Sequence, residues 1–379
     1  MKTRVFAEVF MHLGVPKEVK AGENRVAMTP AGVAELTRLG HQVLVQTGAG
    51  IAAGFSDMDY QRAGAHLSAS IAEVYASARL IVKVKEPQPS EYSLLQPHHV
   101  LFTYLHLAAD PVMASALLDS GASCIAYETV RDSQGRLPLL APMSEIAGRM
   151  AIQAGAHHLE VAQGGKGILL GGVPGVAPAQ VVILGAGVVG SQAAAMALGL
   201  GAQVTIVDTS LGRLRQLDEL WRGRLQTEYA TRTRIAELVQ GADLVVGAVL
   251  NAGDAAPRLL ERDDIARMRP ASVLVDVAID QGGCFATSRP TSHQNPTYVE
   301  EGVIHYCVAN IPSAVARTAT LGLTNATLDY VQRLAKAGLD TLKSDAGFAQ
   351  GLNVCRGAVT HPTVASALNK RYQPIERVV

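Results

Sequence analysis

VVILGAGVVG, residues 181–190, runs directly into SQAAAMALGLG, residues 191–201, and this stretch decides the fold. Four apolar residues end at Leu184, a Gly-x-Gly-x-x-Gly turn follows, and a run of small helix-forming residues comes after it. The glycines have separate physical tasks. Gly185 permits a tight strand-to-helix turn, Gly187 lets a pyrophosphate approach the backbone, and Gly190 allows close helix-to-strand packing, with Val188 and Val189 opening the helix between them. Asp208 ends the next strand, where a carboxylate can accept hydrogen bonds from both adenosine ribose hydroxyls. That charge repels a 2′-phosphate, so the pattern predicts NAD rather than NADP.

Working outward, strands are expected at residues 181–184, 204–207, 244–249, 273–277 and 304–308, enough for a parallel sheet. The first third has the same rhythm, with strands expected at 43–46, 80–84, 100–104 and 124–127 and helices between them. Thr29 and Pro30 mark the cap and first position of a helix over residues 31–39, and Gly40 its C′ residue. A helix from Pro142 towards Val161 leads into the glycine-rich GGKGILLGGVPG, and the character of the chain changes near residue 139. From about Thr318 the chain reads as mostly helical and returns to one of the two sheets. The fold class is therefore α/β: a Rossmann-type parallel-sheet domain beside a second α/β domain.

Composition narrows the function. A chain of 379 residues, 48% hydrophobic, can bury two cores. Lys plus Arg and Asp plus Glu stand at 33 each, which leaves no basic field for nucleic acid or an anionic membrane and favours a small-molecule partner. Residues 167–207 carry no charge, but Pro174, Pro178 and many glycines divide them into strand-length pieces, so no membrane span is expected. Cys124, Cys284, Cys307 and Cys355 have neither CxxC nor Cys/His zinc spacing and read as reduced, cytosolic thiols; no metal-ligating residue is named, and the sequence leaves a metal undecided.

Candidate chemistry lies at predicted strand ends, which face the ligand crevice in parallel sheets. Arg25 sits in GENRVAMTP before the Thr29 cap, where a guanidinium can hold a carboxylate or pair with a surface acid. Lys85 ends LIVKVK, and Lys83 shares its face by period two; the spacing does not decide between them. His106 follows VLFTYL, as a satisfied core histidine or a proton relay. Asp280 ends VLVDVAID, where a carboxylate can exchange protons with substrate, whereas Asp276 inside the run suits a structural role. Arg213, one turn into the helix after Asp208, reads as a solvated surface arginine or as a contact to the adenosine end.

Together GVPKE at Gly14, ENRVAMTPAGV at Glu23, VKVKEP at Val82, LFTYLHLA at Leu101, PMSEIAGRM at Pro142, GGVPGV at Gly171, GAGVVG at Gly185, DVAIDQGG at Asp276, VANIPSAVARTAT at Val308 and LTNAT at Leu323 closely resemble the alanine dehydrogenase family. The resemblance spans nearly the whole chain beyond the first ten residues. It implies a nicotinamide domain, residues 139–316, inserted into a substrate domain made of residues 1–138 and 317–379. It implies reversible oxidative deamination of L-alanine to pyruvate and ammonium by a cytoplasmic homohexamer using NAD. Residue by residue, it places substrate binding on Arg25 and Lys85 and proton transfer on His106 and Asp280. It places the cofactor cleft on Met143, Ser144, Val249, Leu250 and the 308–311 segment around Asn310, beside Gly185, Gly187, Val188, Val189, Gly190, Asp208 and Arg213.

The chain departs from the family pattern at Ala252 and Ala255, where proline and lysine are usual, at Ala316 for a proline, and at Ala230 for a serine. These changes bear on loop rigidity and cofactor affinity rather than reaction type. MKTRVFAEVF, residues 1–10, is extra, either an ordered extension or the product of a start upstream of Met11. Two other readings compete. One is the soluble dinucleotide-binding part of a proton-translocating transhydrogenase, which has no use for Arg25, Lys85, His106 and Asp280 together. The other is a non-catalytic NAD sensor, which fold alone does not separate from an enzyme.

Overall fold

The computed structural model describes residues 11–249 and 256–379, so the 1–10 extension, Leu250, Ala252 and Ala255 lie outside the described residues. The chain forms two compact units, one running to Pro142 and resumed over Val315–Val379, the other Met143–Ala314. The expected crossings were 138/139 and 316/317.

In chain order the first unit contributes β1 (His12–Val15), β2 (Gln42–Gln46), β3 (His66–Ser68), β4 (Leu80–Val82), β5 (Val100–Thr103) and β6 (Ser123–Ala126). The second supplies β7 (Gln180–Leu184), β8 (Gln203–Asp208), β9 (Gln226–Tyr229), β10 (Leu244–Gly247), β11 (Val273–Asp276), β12 (Thr297–Glu300) and β13 (Val303–Tyr306). The chain then adds β14 (Leu352–Cys355) and β15 (Ala358–Val359) to the first unit.

The first sheet has the order β3-β2-β1-β4-β5-β6-β14-β15. Its first six strands are parallel, and β14 joins β6 antiparallel. Every residue of β4, β5 and β6 is buried, as expected for strands covered on both faces. The helix Pro30–Arg38 begins where its residues predict: the Thr29 side chain accepts from the Gly32 amide at 3.1 Å, and Gly40 takes φ +88° beyond its end.

The second sheet has the order β9-β8-β7-β10-β11-β13-β12, parallel except for the edge strand β12. Alternation in β7 shows how both faces are covered. Val181 and Ile183 enter one core with Ala193 and Ala197 of the helix Val188–Gly199, while Val182 and Leu184 enter the other with Val239 and Ile265. The uncharged stretch 167–207 thus resolves into a loop, β7, that helix and most of β8. Among the described residues, no helix is long and apolar enough to cross a membrane.

The C-terminal region departs from its helical reading. The expected helix is present as Ala316–Ala337, but β14 and β15 follow as a hairpin. LNVC has no periodic signature of its own; it becomes a strand because β6 offers an edge, with the Ala126 amide donating to the Gly351 carbonyl at 2.7 Å.

Candidate active site

Each sheet reverses its strand order once, at β1/β4 and at β7/β10, and the crevice beyond the carboxyl ends of such strands is where doubly wound sheets bind ligands. At the second switch point the three glycines differ physically. Gly185 has φ +106°, and a Cβ there would lie 2.7 Å from the Ala248 carbonyl oxygen. A Cβ on Gly190 would lie 1.8 Å from the Gly185 carbonyl oxygen. Gly187, by contrast, caps the helix with φ −66° and has nothing within 4 Å of its Cβ direction. The fold needs glycine at 185 and 190; the open side of Gly187 fits a pyrophosphate approaching the first-turn amides of a twelve-residue helix.

The loop is held from outside. Asp208 Oδ2 accepts from the Ala186 amide at 2.7 Å and its Oδ1 from the Ser210 amide at 2.7 Å. Each carboxylate oxygen has more than one lone pair, so these bonds are compatible with ribose hydroxyls as further donors. Arg213 is not the solvated surface arginine its position suggested. It is half-buried, its Nε donates to the Ala186 carbonyl at 2.8 Å, and its Nη2 donates to Ser191 Oγ at 2.7 Å. Ser191 in turn donates to the Gly187 carbonyl at 2.7 Å. Arg213 therefore supports the loop, a role sequence reasoning missed.

Two other expected cofactor positions follow strands of this sheet at the same carboxyl edge. Val249 follows β10 and touches the space beside Gly185; Asn310 follows β13 with the left-handed φ of +61°. Val188 is exposed and Val189 packs into the core. Ser144 is half-buried in the first turn of the helix Ala141–His158. Asp280 is exposed in the short turn Ile279–Gln281 after β11. Asp276 is wholly buried and accepts from the Ala278 and Cys284 amides and from Ser288 Oγ, at 3.1, 2.8 and 2.5 Å, so it braces that turn. Burial raises its pKa, against those hydrogen bonds.

In the first unit, Arg25, Lys85 and His106 follow β1, β4 and β5, three neighbouring strands. Arg25 is buried, and its Nε and Nη2 pair bidentately with Glu23 at 2.6 and 2.5 Å. That clamp fixes the plane of the guanidinium. The two lysines separate clearly. Lys83 is fully buried with its ammonium 3.1 Å from Glu18 and 2.9 Å from Glu91, whereas Lys85 is half-buried at the strand end. Burial pulls the Lys83 pKa down, but the Glu18 and Glu91 carboxylates outweigh it and the net direction is up. Lys83 is thus a charged structural pin. Glu18 also accepts from the Val84 and Lys85 amides, at 2.7 and 3.4 Å, tying the loop after β1 to the end of β4.

His106 is exposed, in the left-handed conformation with φ +50° and ψ +37°. Its ring lies parallel to that of Tyr104, 6.1 Å between centroids, and Tyr104 Oη donates to the Leu139 carbonyl at 2.6 Å. A cavity of about 160 Å³ borders Glu18, Glu23 and Arg25 but neither Lys85 nor His106; it lies between the loop after β1 and residues 48–52 rather than forming a chamber common to all three. Glu18, Glu23 and Glu128 were not singled out in the sequence. A lone glutamate in a loop carries no periodic mark, although two following one apolar strand within ten residues are a weak signal. Among the described residues, no group of three or more His, Cys, Asp or Glu is arranged to hold a metal, and the four cysteines are buried and unbridged.

A doubly wound parallel sheet with a glycine turn at its switch point defines the class: a Rossmann-type α/β protein. The family profile described as alanine dehydrogenase/PNT, N-terminal domain, matches residues 14–147, and its C-terminal domain counterpart matches 151–362. The alanine dehydrogenase of Halomonas elongata is 58% identical over 96% of this chain and 98% of its own length; that of Bacillus subtilis is 51% identical over 97% and 98%. A solved L-alanine dehydrogenase, 50% identical, superposes with a TM-score of 0.92 over 95% of this chain and 99% of its own. The transhydrogenase from Sinorhizobium meliloti shares the fold, with a TM-score of 0.82 at 24% identity over 92% of this chain and 100% of its own. The chain belongs to the alanine dehydrogenase/PNT family.

Proposed function

We propose that this protein is an NAD-dependent L-alanine dehydrogenase that interconverts L-alanine and water with pyruvate and ammonium. The observation that carries the reading is the near full-length likeness to proteins named alanine dehydrogenase, extending through the strand ends that bear Arg25, Lys85 and His106. A nicotinamide dinucleotide fits the second unit, whose Gly187 leaves open space before helix amides and whose Asp208 presents a carboxylate at the end of β8. The first unit is then the substrate domain. Ser144, Val249 and Asn310 complete the cofactor's surroundings, and Arg213 supports its loop.

NAD, when bound, accepts the hydride that leaves the alanine α-carbon. The chain's own residues do the rest. Arg25, its plane set by Glu23, anchors the substrate carboxylate, and Lys85 polarises the oxygen that becomes the pyruvate carbonyl. Water adds to the substrate imine, and His106 takes the water proton and later returns one to the departing amine. Asp280 assists these proton transfers. We assign the working form to a cytoplasmic homohexamer on the family resemblance.

The test is alanine-dependent NADH formation, run beside NADP, other amino acids and His106→Ala. Activity with NAD that disappears in a folded, NAD-binding His106→Ala supports the reading. If neither alanine oxidation nor pyruvate amination occurs although NAD binds, the reading is overturned and the transhydrogenase-like and sensor readings replace it. Light scattering of the purified protein tests the hexamer.

A further inference from the structure

His106 adopts the left-handed backbone region, uncommon outside glycine although histidine enters it more readily than most residues, and its surroundings hold it there. The holder is Glu128. Its Oε1 accepts from the His106 amide at 2.6 Å, and both its oxygens accept from the Leu105 amide at 3.2 Å. One carboxylate thus grips two successive N–H groups at the point where the chain leaves β5 and reverses. Both amides point to one side of the turn, and an anion answers them.

Glu128 is itself held. It sits in the short turn Tyr127–Thr129 after β6, and the returning C-terminal segment clamps that turn on both sides. The Ala126 amide donates to the Gly351 carbonyl at 2.7 Å, the Arg131 amide to the Gly347 carbonyl at 3.0 Å, and Asn353 Nδ2 to Thr129 Oγ1 at 2.9 Å. On the other side of His106, the Tyr104 ring lies nearly parallel to the imidazole, with 6° between the planes. Glu128 thus fixes the backbone from which the imidazole projects, and the Tyr104 ring lies beside it.

We infer that Glu128 is the positioning residue for His106: through the Leu105 and His106 amides it fixes the left-handed turn from which the imidazole projects, and the returning segment at Gly347, Gly351 and Asn353 holds the turn that bears Glu128. Glu128 acts through His106 and needs no contact with substrate. The inference rests on the assignment of His106 to proton transfer.

The experiment compares wild type, Glu128→Ala and Glu128→Gln by steady-state kinetics in both directions, NADH binding by fluorescence and thermal unfolding. Glu128→Ala is expected to lose tenfold or more in kcat with KM for alanine and affinity for NADH changed less than threefold. Glu128→Gln, which keeps one acceptor oxygen, is expected to recover most of that loss. A kcat within twofold of wild type in Glu128→Ala overturns the inference, as does a loss in Glu128→Gln equal to that in Glu128→Ala. Should Glu128→Ala not fold, Glu128→Asp, whose shorter side chain withdraws the carboxylate from both amides, takes its place: kcat falling with KM unchanged supports the inference, and kcat within twofold of wild type, or KM rising with kcat unchanged, overturns it. Failure of the underlying reading is separate, because wild type itself then shows no alanine-dependent NADH formation.

Discussion

Gly190 faces the carbonyl oxygen of Gly185 so closely that a methyl group would lie 1.8 Å from it, whereas a methyl on Gly187 would meet nothing within 4 Å. Two alanine substitutions in one motif should therefore fail in different ways. Gly190→Ala forces the loop off β7 and lowers stability by roughly 1–3 kcal/mol, with cofactor binding lost alongside. Gly187→Ala keeps or slightly raises stability, by up to about 1 kcal/mol, because its φ suits alanine. Its NADH dissociation constant nevertheless rises tenfold or more. Urea unfolding paired with NADH titration separates the two, and normal NADH affinity in Gly187→Ala would remove the pyrophosphate assignment.

Lys83 and Lys85 differ by two residues and should differ in kind. Lys83→Met leaves Glu18 and Glu91 buried without their ammonium and is expected to lower stability by about 3–5 kcal/mol. Lys85→Met is expected to stay within about 1 kcal/mol of wild type, while alanine oxidation falls about 10²-fold. Chemical unfolding and initial rates on both proteins check this; the reverse pattern would exchange their roles.

Arg213→Gln should weaken NADH binding several-fold without improving NADPH binding. The Ala186 carbonyl and Ser191 lose their support, but Asp208 still repels a 2′-phosphate. A gain in NADPH affinity would instead place Arg213 at the ribose.

His305 is buried, bonded to Thr287 and to the Val303 carbonyl, and its pKa lies below the ordinary 6.5 because burial disfavours the cation. The Val303 carbonyl and Glu300 oppose that shift, and Arg289 and Arg262 add to it. The unfolded chain therefore binds this proton more readily. The stability from keeping His305 neutral is complete above pH 6.5 and is lost as pH falls through 6.5 towards the folded value, at up to about 1.4 kcal/mol per pH unit. Unfolding free energies of wild type and His305→Gln between pH 7.5 and 5.5 should diverge in slope, the variant being flatter. Parallel curves would contradict the buried neutral imidazole.

The strands legible in the sequence were those written in apolar runs: β2, β4 to β8, β10, β11 and β13, most of them Val-, Ile- or Leu-rich because both faces are covered. The edge strands were not legible, nor was the interior strand β1, whose HLGV is short and broken by glycine. QTEY of β9 and TYVE of β12 are half polar because one side meets solvent, and LNVC of β14 is strand only by virtue of β6. The site followed the same division. Lys85, His106, Asp208 and Asp280 stand at or near predictable strand ends and Arg25 in the loop before the Thr29 cap, while the choice of Lys85 over Lys83 and the roles themselves came from the family resemblance. Of the residues that support them, Glu18, Glu128 and Arg213 act across the fold on backbone groups that carry no sequence mark, and Glu23 clamps the Arg25 guanidinium from two residues away.

The placement of β14 sets a schedule for biosynthesis. The first unit begins near the N-terminus yet receives β14 and β15 only from its last residues, whereas the second unit is one continuous segment. Ala126 ends β6 and Leu352 begins β14, a separation that takes roughly 10–45 s to translate at ordinary ribosome speeds. During that interval the second unit can fold on the ribosome while β6 waits with a bare edge. The turn bearing Glu128 acquires its clamp last, and a chain terminated between Ala314 and Leu352 holds every residue of the second unit while the first lacks β14 and β15.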